Sequence, residues 1–425
     1  VTADEAARRA EDSARRAVVA VWRIESARIV ATLTRHTGDF ALAEDLAQEA
    51  LADALAQWPE RGVPRNGAAW LTAVAKRKAI DHWRRRERLD DRVAAIAHDL
   101  EREQDEAADA LPWDPDEIDD DVLRLVFIAC HPLLAPQARI ALTLRVVAGL
   151  ETAEIARAFL VPVATVQQRI VRAKQALADA HVPFEAPPRG ERAQRLAAVL
   201  GVLYVIFTEG HAATAGDDWM RPDLAREAIR LARTLAALQP DEPEVHGLVG
   251  LLELTAARFP ARVDAQGEPV LLADQDRRRW DRGAIRRGRA ALARAEGFGR
   301  GLGPYALQAA IAECHAVAAD VASTDWSRIV ALYGGLEQVA PSPIVTLNKA
   351  VAVSMADGPA AALAIVDRLA GEKALAIGHL LPSVRGELLS RLGRDEEARA
   401  AFSQAAERTQ NERERAILLA RAATR

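Results

Sequence analysis

An all-α chain is predicted by three observations. Half of the residues are apolar, dominated by Ala, Leu and Val, all compatible with helix. Aromatics contribute only 4%. Apolar positions recur at helical spacing along most of the length. With 425 residues, two or three domains are expected.

The first domain is placed at 1–88. Phe40 to Trp58 carries apolar residues at helical spacing, and Asp39 stands where an N-cap belongs. Pro59, Gly62, Pro64 and Gly67 mark a loop. Trp70, Leu71, Val74 and Ala75 then open a helix that runs into a basic stretch. From Lys76 to Arg88 there are seven basic residues against two acidic ones. From Asp99 to Asp121 there are twelve acidic residues and one base, Arg102. The pattern suggests a basic working surface followed by an acidic linker with little stable structure, placed at 89–120.

A second compact unit of helices is expected over 121–182, closed off by Pro183, Pro187 and Pro188. Its centre is a helix-turn-helix at 151–178. Thr152 is the expected cap of a helix through Phe159. Leu160 to Val163 form the turn, where Pro162 cannot continue a helix. The second helix runs from about Ala164 to Leu177. At about 100° per residue, Val166, Ile170, Ala173 and Leu177 form the inward stripe. Thr165, Gln168, Arg169, Arg172 and Gln175 face the other way. Arg pairs with guanine and Gln with adenine in the major groove. No acidic residue from Val163 to Ala178 would repel phosphates. These five residues are the candidate duplex-reading set.

The basic segment 64–88 offers a second surface. Lys76, Arg77, Ile80, Trp83 and Arg84 share one side of a helical wheel, the cations for phosphates and Trp83 for an unstacked base. Arg65 and Asn66, in the preceding loop, are candidate hydrogen-bonding partners for such a base. Earlier, Asp45, Gln48, Glu49 and Asp53, with Glu44, give the 40–58 helix an acidic flank suited to a basic partner helix.

The half from 190 to 425 is helical with a different rhythm. Ile329, Ala362 and Ala398 lie 33 and 36 residues apart, near the period of about 34 of tetratricopeptide (TPR) repeats. Glu227-Ala228 before Pro240, Ile329 and Tyr333 before Pro341, and Gly393, Ala398, Phe402 and Ala405 keep that register. Residues 258–325 break it. A TPR-like helical repeat is therefore expected, with an irregular bundle as the alternative.

Other chemistry is not indicated. Nine histidines are scattered, and Cys130-His131 and Cys314-His315 are the only close Cys/His pairs. Helical neighbours point apart, so neither pair chelates alone. No zinc spacing, P-loop or dinucleotide fingerprint occurs. The glycine-rich 297–303 follows a helix and reads as a loop. No catalytic residue, metal or cofactor is assigned, and no enzyme is expected. Two cysteines give no disulfide framework, consistent with a cytoplasmic protein. No apolar run near the roughly 18 residues of a membrane span is expected. Val1–Arg16 lacks a signal-peptide core.

Together these words resemble the extracytoplasmic-function branch of the sigma-70 family. AEDLAQEALADAL (43–55) resembles region 2.2, PRNGAAWLTAVAKRKAIDHWRRR (64–86) regions 2.3–2.4, and LETAEIARAFLVPVATVQQRIVRAKQAL (150–177) region 4.2. FTEGHAATAG (207–216), LLADQDRRRWD (271–281), GPYALQAAIAECHA (303–316), STDW (323–326) and SPIVTLNKAVAV (342–353) resemble the long C-terminal extension of one subgroup. At position 77 this chain has Arg where family members often carry Asn.

The resemblance implies a factor that binds core RNA polymerase through the β′ clamp helices and the β flap. Asp45, Gln48, Glu49 and Asp53 would meet the clamp helices. Arg65, Asn66, Lys76, Arg77, Ile80, Trp83 and Arg84 would read and melt the −10 element. Thr165, Gln168, Arg169, Arg172 and Gln175 would read the −35 element. The extension would serve a protein partner or an intramolecular contact, with no membrane role. Two other readings remain. One is a helix-turn-helix regulator with a TPR-like sensor, acting without replacing sigma. The other is an enzyme using Glu209, His211, Asp274 and Asp276, supported by residue type alone.

Overall fold

The structure is a computed structural model that describes residues 3–86, 115–159, 161–185, 187, 190–211, 220–264, 268–373, 375–376, 378–409 and 411–423. The all-α expectation holds. Among the described residues there is no strand, and the single β-type pairing is an isolated bridge between Val263 and Pro269. The chain forms two compact units, 1–202 and 203–425.

The first unit begins with α1 (Ala3–Thr37), α2 (Phe40–Arg61) and α3 (Gly67–Arg86). Asp39 starts α2 as the sequence predicts: its carboxylate accepts from the Ala41 and Leu42 amides at 2.8 and 3.0 Å. Such a cap contributes about 1 kcal/mol. The helix runs past Pro59, which the sequence pattern assigns to the loop, and ends at Arg61. Proline in the last turn spares most of the helical ladder. Gly62, at φ 86°, then turns the chain and returns its amide to the Trp58 carbonyl at 3.0 Å. The core joins Trp22, Ile29, Val30 and Leu33 of α1, Leu46, Ala47, Ala50, Ala54 and Trp58 of α2, and Leu71 and Ala75 of α3. A Cβ on Gly67 would meet the Trp58 ring at 2.6 Å. Only glycine therefore lets α3 start against that ring.

The acidic segment 87–114 lies outside the described residues. Helix α4 (Pro115–Ala129) begins inside the expected linker. Proline suits a first helical turn. Next come α5 (Pro136–Leu142), which widens into a π turn over Thr143–Val147, then α6 (Thr152–Ala158) and α7 (Val163–Asp179). The unit boundary falls within α8 (Arg192–His211). Contrary to the sequence expectation, Ala193–His211 is long and apolar enough to cross a membrane, with mean hydropathy 1.2, and half of it is buried inside the protein. Arg195 and Glu209 bound an uncharged stretch shorter than a membrane span, so no such run shows in the sequence.

The second unit continues with α9 (Pro222–Leu238), α10 (Pro243–Ala256), α11 (Arg282–Gly297), α12 (Pro304–Val317), α13 (Trp326–Val339), α14 (Pro343–Ala356), α15 (Pro359–Arg368), α16 (Leu380–Arg391), α17 (Asp395–Arg408) and α18 (Glu412–Ala423). Helix pairs start at Trp326, Pro359 and Asp395, 33 and 36 residues apart. Between α10 and α11 the described residues make only short 3-10 turns and the Val263–Pro269 bridge, which is where the sequence period fails. Close crossings rely on small residues: a Cβ on Gly247 of α10 would lie 2.7 Å from the Ala306 amide nitrogen of α12.

Candidate nucleic-acid interface

Helices α6 and α7 form the expected helix-turn-helix. Val166, Ile170, Ala173 and Leu177 are the buried stripe of α7, as the spacing predicts. Ile155 and Ala156 of α6 are buried with them. Thr152 does not cap α6. The Glu151 carbonyl accepts the first helical bond from Ile155, and the Glu154 carboxylate accepts the Glu151 amide at 2.8 Å. That is half of a capping box, placed one residue earlier. The Val161 amide returns to the Ala156 carbonyl at 3.0 Å, a six-residue closure typical of helix ends. Leu160, the first residue of the expected turn, lies outside the described residues.

Of the five candidate duplex readers, Gln168, Arg172 and Gln175 are exposed, and Thr165 and Arg169 are half-buried. Arg169 lines a small cleft with Phe159 and Val166. Gln175 donates to the Asp179 carboxylate at 2.6 Å. Pro162 ends the turn, and its carbonyl accepts the Thr165 amide at 2.9 Å. The second helix thus projects a basic and amide-bearing face with no acidic residue before Asp179.

The basic helix α3 is a partial match. Arg65, Asn66, Arg77 and Arg84 are exposed, and Lys76 and Trp83 are half-buried. Ile80 is 5% exposed and cannot touch nucleic acid. Helix α3 packs against both α1 and α2, so more of its circumference is covered than the wheel allowed. Asn66 serves the fold, because its side-chain oxygen accepts the Ala69 amide at 3.0 Å and so caps α3. Trp58 and Trp70 meet edge to face at 5.6 Å, bracing the start of α3 behind this loop.

The acidic flank of α2 is exposed in pattern but engaged in fact. Glu49 and Asp53 hold Lys78 of α3 at 3.3 and 2.9 Å. Burial works against the Lys78 charge, yet the two carboxylates outweigh it and raise its pKa. Asp45 accepts from Lys174 of α7 at 2.9 Å, and Gln48 from Arg145 at 2.5 Å. Glu44, which the sequence places on the same acidic flank, is instead enclosed. Glu44 is 3% exposed and pairs with both Lys174 and Arg145. No sequence signal distinguishes it from its solvent-facing neighbours, because its partners lie about a hundred residues away.

The remaining candidates do not form a reaction centre. Glu209 pairs with Arg221, and the His211 ring contacts Arg262 and stacks between Phe207 and Phe259. Asp276 caps a short turn by accepting the Arg278 amide at 3.0 Å. Among the described residues no group of three or more His, Cys, Asp or Glu could hold a metal ion. Cys130 and Cys314 are buried free thiols.

Comparison with known proteins matches these two surfaces separately. The sigma-70 region 2 family covers residues 21–89, and the sigma-70 region 4 family covers 124–177. The probable ECF RNA polymerase sigma factor SigI of Mycobacterium tuberculosis (strain H37Rv) is 28% identical over 179 residues, 41% of this chain and 59% of that protein.

This chain belongs to the extracytoplasmic-function branch of the sigma-70 family.

The sigma factor also carries a long helical extension. Residues 195–296 match a family of unknown function, DUF6596. An uncharacterized protein of Rhizobium meliloti (strain 1021) is 47% identical over 374 residues, 88% of this chain and 87% of that one. The whole arrangement, extension included, is therefore shared. No solved structure matches the chain. Sigma-70 regions 2 and 4 are parts of a transcription initiation factor that binds core RNA polymerase and promoter DNA, and not of an enzyme.

Proposed function

We propose that this sigma factor positions core polymerase by a two-point reading of the promoter. Arg172, Gln168, Arg169, Thr165 and Gln175 of α7 read the −35 duplex. Arg65, Asn66, Lys76, Arg77, Trp83 and Arg84 hold the −10 strand, with the cations on phosphate and Trp83 stacked on a base. Asp45, Gln48, Glu49 and Asp53 of α2 meet the β′ clamp helices, and the 121–182 segment meets the β flap. The work is strand capture and positioning, carried out in the cytoplasm where the polymerase is. The TPR-like extension is a protein-interaction or regulatory surface.

The observation that carries this reading is the pairing, in one compact unit, of an exposed basic face on α3 with an acid-free outer face on α7. A regulator using only the helix-turn-helix leaves the first face without a role. The test is reconstituted transcription with core polymerase on fragments of the source genome. Discrete start sites that depend on this protein are expected. Duplex binding without any core association would overturn the reading in favour of a conventional regulator. Deleting the chain after residue 185 is expected to change the output, which tests the extension.

A further inference from the structure

The connection between α10 and α11, where the repeat period fails, gathers cations. Arg258 and Arg262 follow α10, and Arg277 and Trp280 precede α11. Arg262, Arg277 and the Trp280 ring are buried. The guanidiniums of Arg277 and Arg258 stack on that ring, 5.1 and 5.8 Å from its centroid. The sequence words 207–216, 271–281, 303–316 and 323–326 each supply a member of the group: His211, Trp280, His315 and Thr324. His211 contacts Arg262, and Arg277 reaches both the His315 carbonyl and the Thr324 hydroxyl.

Buried cations are costly without a counter-charge. Among the described residues no carboxylate pairs with Arg258 or Arg277. Asp320 favours the Arg277 charge only from a distance. Asp276 is engaged by Arg278, Asp281 by the first amides of α11, and Glu209 by Arg221. Burial and Arg277 lower the Arg258 pKa to about 10, and burial and Arg258 lower that of Arg262 to about 9.

The donors also outnumber their acceptors. Arg277 spends its Nη atoms on the His315 and Ala318 carbonyls at 2.7 and 2.9 Å and on Thr324 Oγ1 at 3.3 Å. Arg258 donates only its Nε, to the Gln275 amide oxygen at 3.3 Å. Gln275 is itself pinned, donating to the Val270 carbonyl at 3.0 Å. The two Nη atoms of Arg258 donate to nothing in the protein. Trp280 Nε1 and His315 Nδ1 are enclosed and likewise have no hydrogen-bond partner. Buried polar groups are nearly always satisfied, so three exceptions side by side call for a ligand.

We propose that this cluster binds the phosphate group of a small molecule, with the Arg258 guanidinium as its anchor. A phosphomonoester carries about −1.5 to −2 charge near neutral pH and three acceptor oxygens. It offsets two guanidiniums, whereas a carboxylate brings a single charge to three cations. The internal phosphates of a nucleic-acid strand arrive singly charged and in series, which suits a groove and not an enclosed cluster. Arg258 is half-buried, so the phosphate meets it first. The Trp280 ring and the Gln275 bond hold its fork in one orientation, which limits the entropy lost on binding. The site belongs to the 203–425 unit and does not depend on how regions 2 and 4 read a promoter.

Isothermal titration of the full-length chain with inorganic phosphate and with glycerol phosphate, at constant ionic strength, tests the site. One saturable site is expected. Arg258→Gln should weaken it about tenfold or more, as expected for a lost charge-assisted hydrogen bond. Trp280→Phe, which keeps a ring and loses the N–H, should weaken it less. Without phosphate, Arg258→Gln should melt no lower than wild type, since it removes an uncompensated buried cation. A lower melting temperature with phosphate binding unchanged would make Arg258 purely structural and overturn the proposal. So would the absence of saturable phosphate binding by wild type, or equal binding of succinate. Binding of a single-stranded oligonucleotide that Arg258→Gln abolishes, with neither small phosphate bound, would overturn it in favour of nucleic acid. If Arg258→Gln fails to fold, Arg258→Lys keeps the charge, loses the fork and is held to the same loss of phosphate binding.

Discussion

The Arg35 guanidinium meets the Asp121 carboxylate at 3.3 Å, and the Asp121 side chain is only 2% exposed. The pair ties α1 to α4 across the segment 87–114. Arg124 shares the same carboxylate at 2.5 Å. Asp121 therefore keeps one cation when the other is lost. Arg35→Ala is expected to lower stability by about 1–2 kcal/mol, below the ~3–5 kcal/mol of a buried charge stripped of its partner. Arg35→Ala with Arg124→Ala should lose more than the two single losses added. Urea unfolding of the three variants measures this, and strict additivity would show that the two cations do not share one buried charge.

On α7, Arg172 is exposed and Arg169 has its stem against Phe159 and Val166. Their truncations should separate. Arg172→Ala should weaken binding to the preferred −35 duplex by roughly 1–3 kcal/mol if it reads a base, with stability unchanged. Arg169→Ala should weaken binding and also lower the melting temperature, because it removes packing as well as charge. Fluorescence anisotropy on matched and scrambled duplexes checks the first, and thermal melting the second. Equal loss on matched and scrambled duplexes would assign Arg172 to the phosphate backbone.

The helix-turn-helix was legible because its determinants are local. Val166, Ile170, Ala173 and Leu177 are spaced by the helix itself, and all four are buried. The Asp39 cap was legible for the same reason. Ile80 was not, since its burial depends on α3 packing against two helices at once. Glu44 was not, since its charge is balanced by Arg145 and Lys174. Asn66 looks like a free loop amide in the sequence, and its bond to the Ala69 amide is visible only once the start of α3 is fixed. Pro115 falls within a composition that reads as linker, although a short acidic run after proline also suits the opening of a helix. Local periodicity carried over to the fold, while charge pairing at long sequence separation did not.

In the extension, Gly247 allows α10 to cross α12 against the Ala306 backbone. An added methyl would stand 2.7 Å from the Ala306 nitrogen, and neither backbone can yield cheaply. Gly247→Ala is expected to cost about 1–3 kcal/mol as overpacking. Gly334 of α13 offers the opposite case, with no atom within 4 Å of a built Cβ. Gly334→Ala should gain up to about 1 kcal/mol from helix propensity. Chemical denaturation of both variants is the measurement. A destabilising Gly334→Ala would mean that α13 needs its flexibility or meets a partner there.

Acid should loosen the extension through its buried histidines. Burial pushes His315 down to about 4, with Arg258 and Arg277 adding to the effect. Burial, then Arg262 and Arg258, holds His211 well below its ordinary value. Both rings are neutral in the folded chain near neutral pH, whereas in the unfolded chain they titrate near about 6.5. Between about 6.5 and 4 the unfolded state binds protons that the folded state refuses. Stability is therefore full above that window and falls as pH drops through it. Across that whole window His315 alone contributes a fall on the order of 3 kcal/mol. The melting temperature of the full chain should decline from pH 7 to pH 5, and His315→Gln should flatten part of that decline. An identical slope in wild type and His315→Gln would show that acid acts on groups other than this ring.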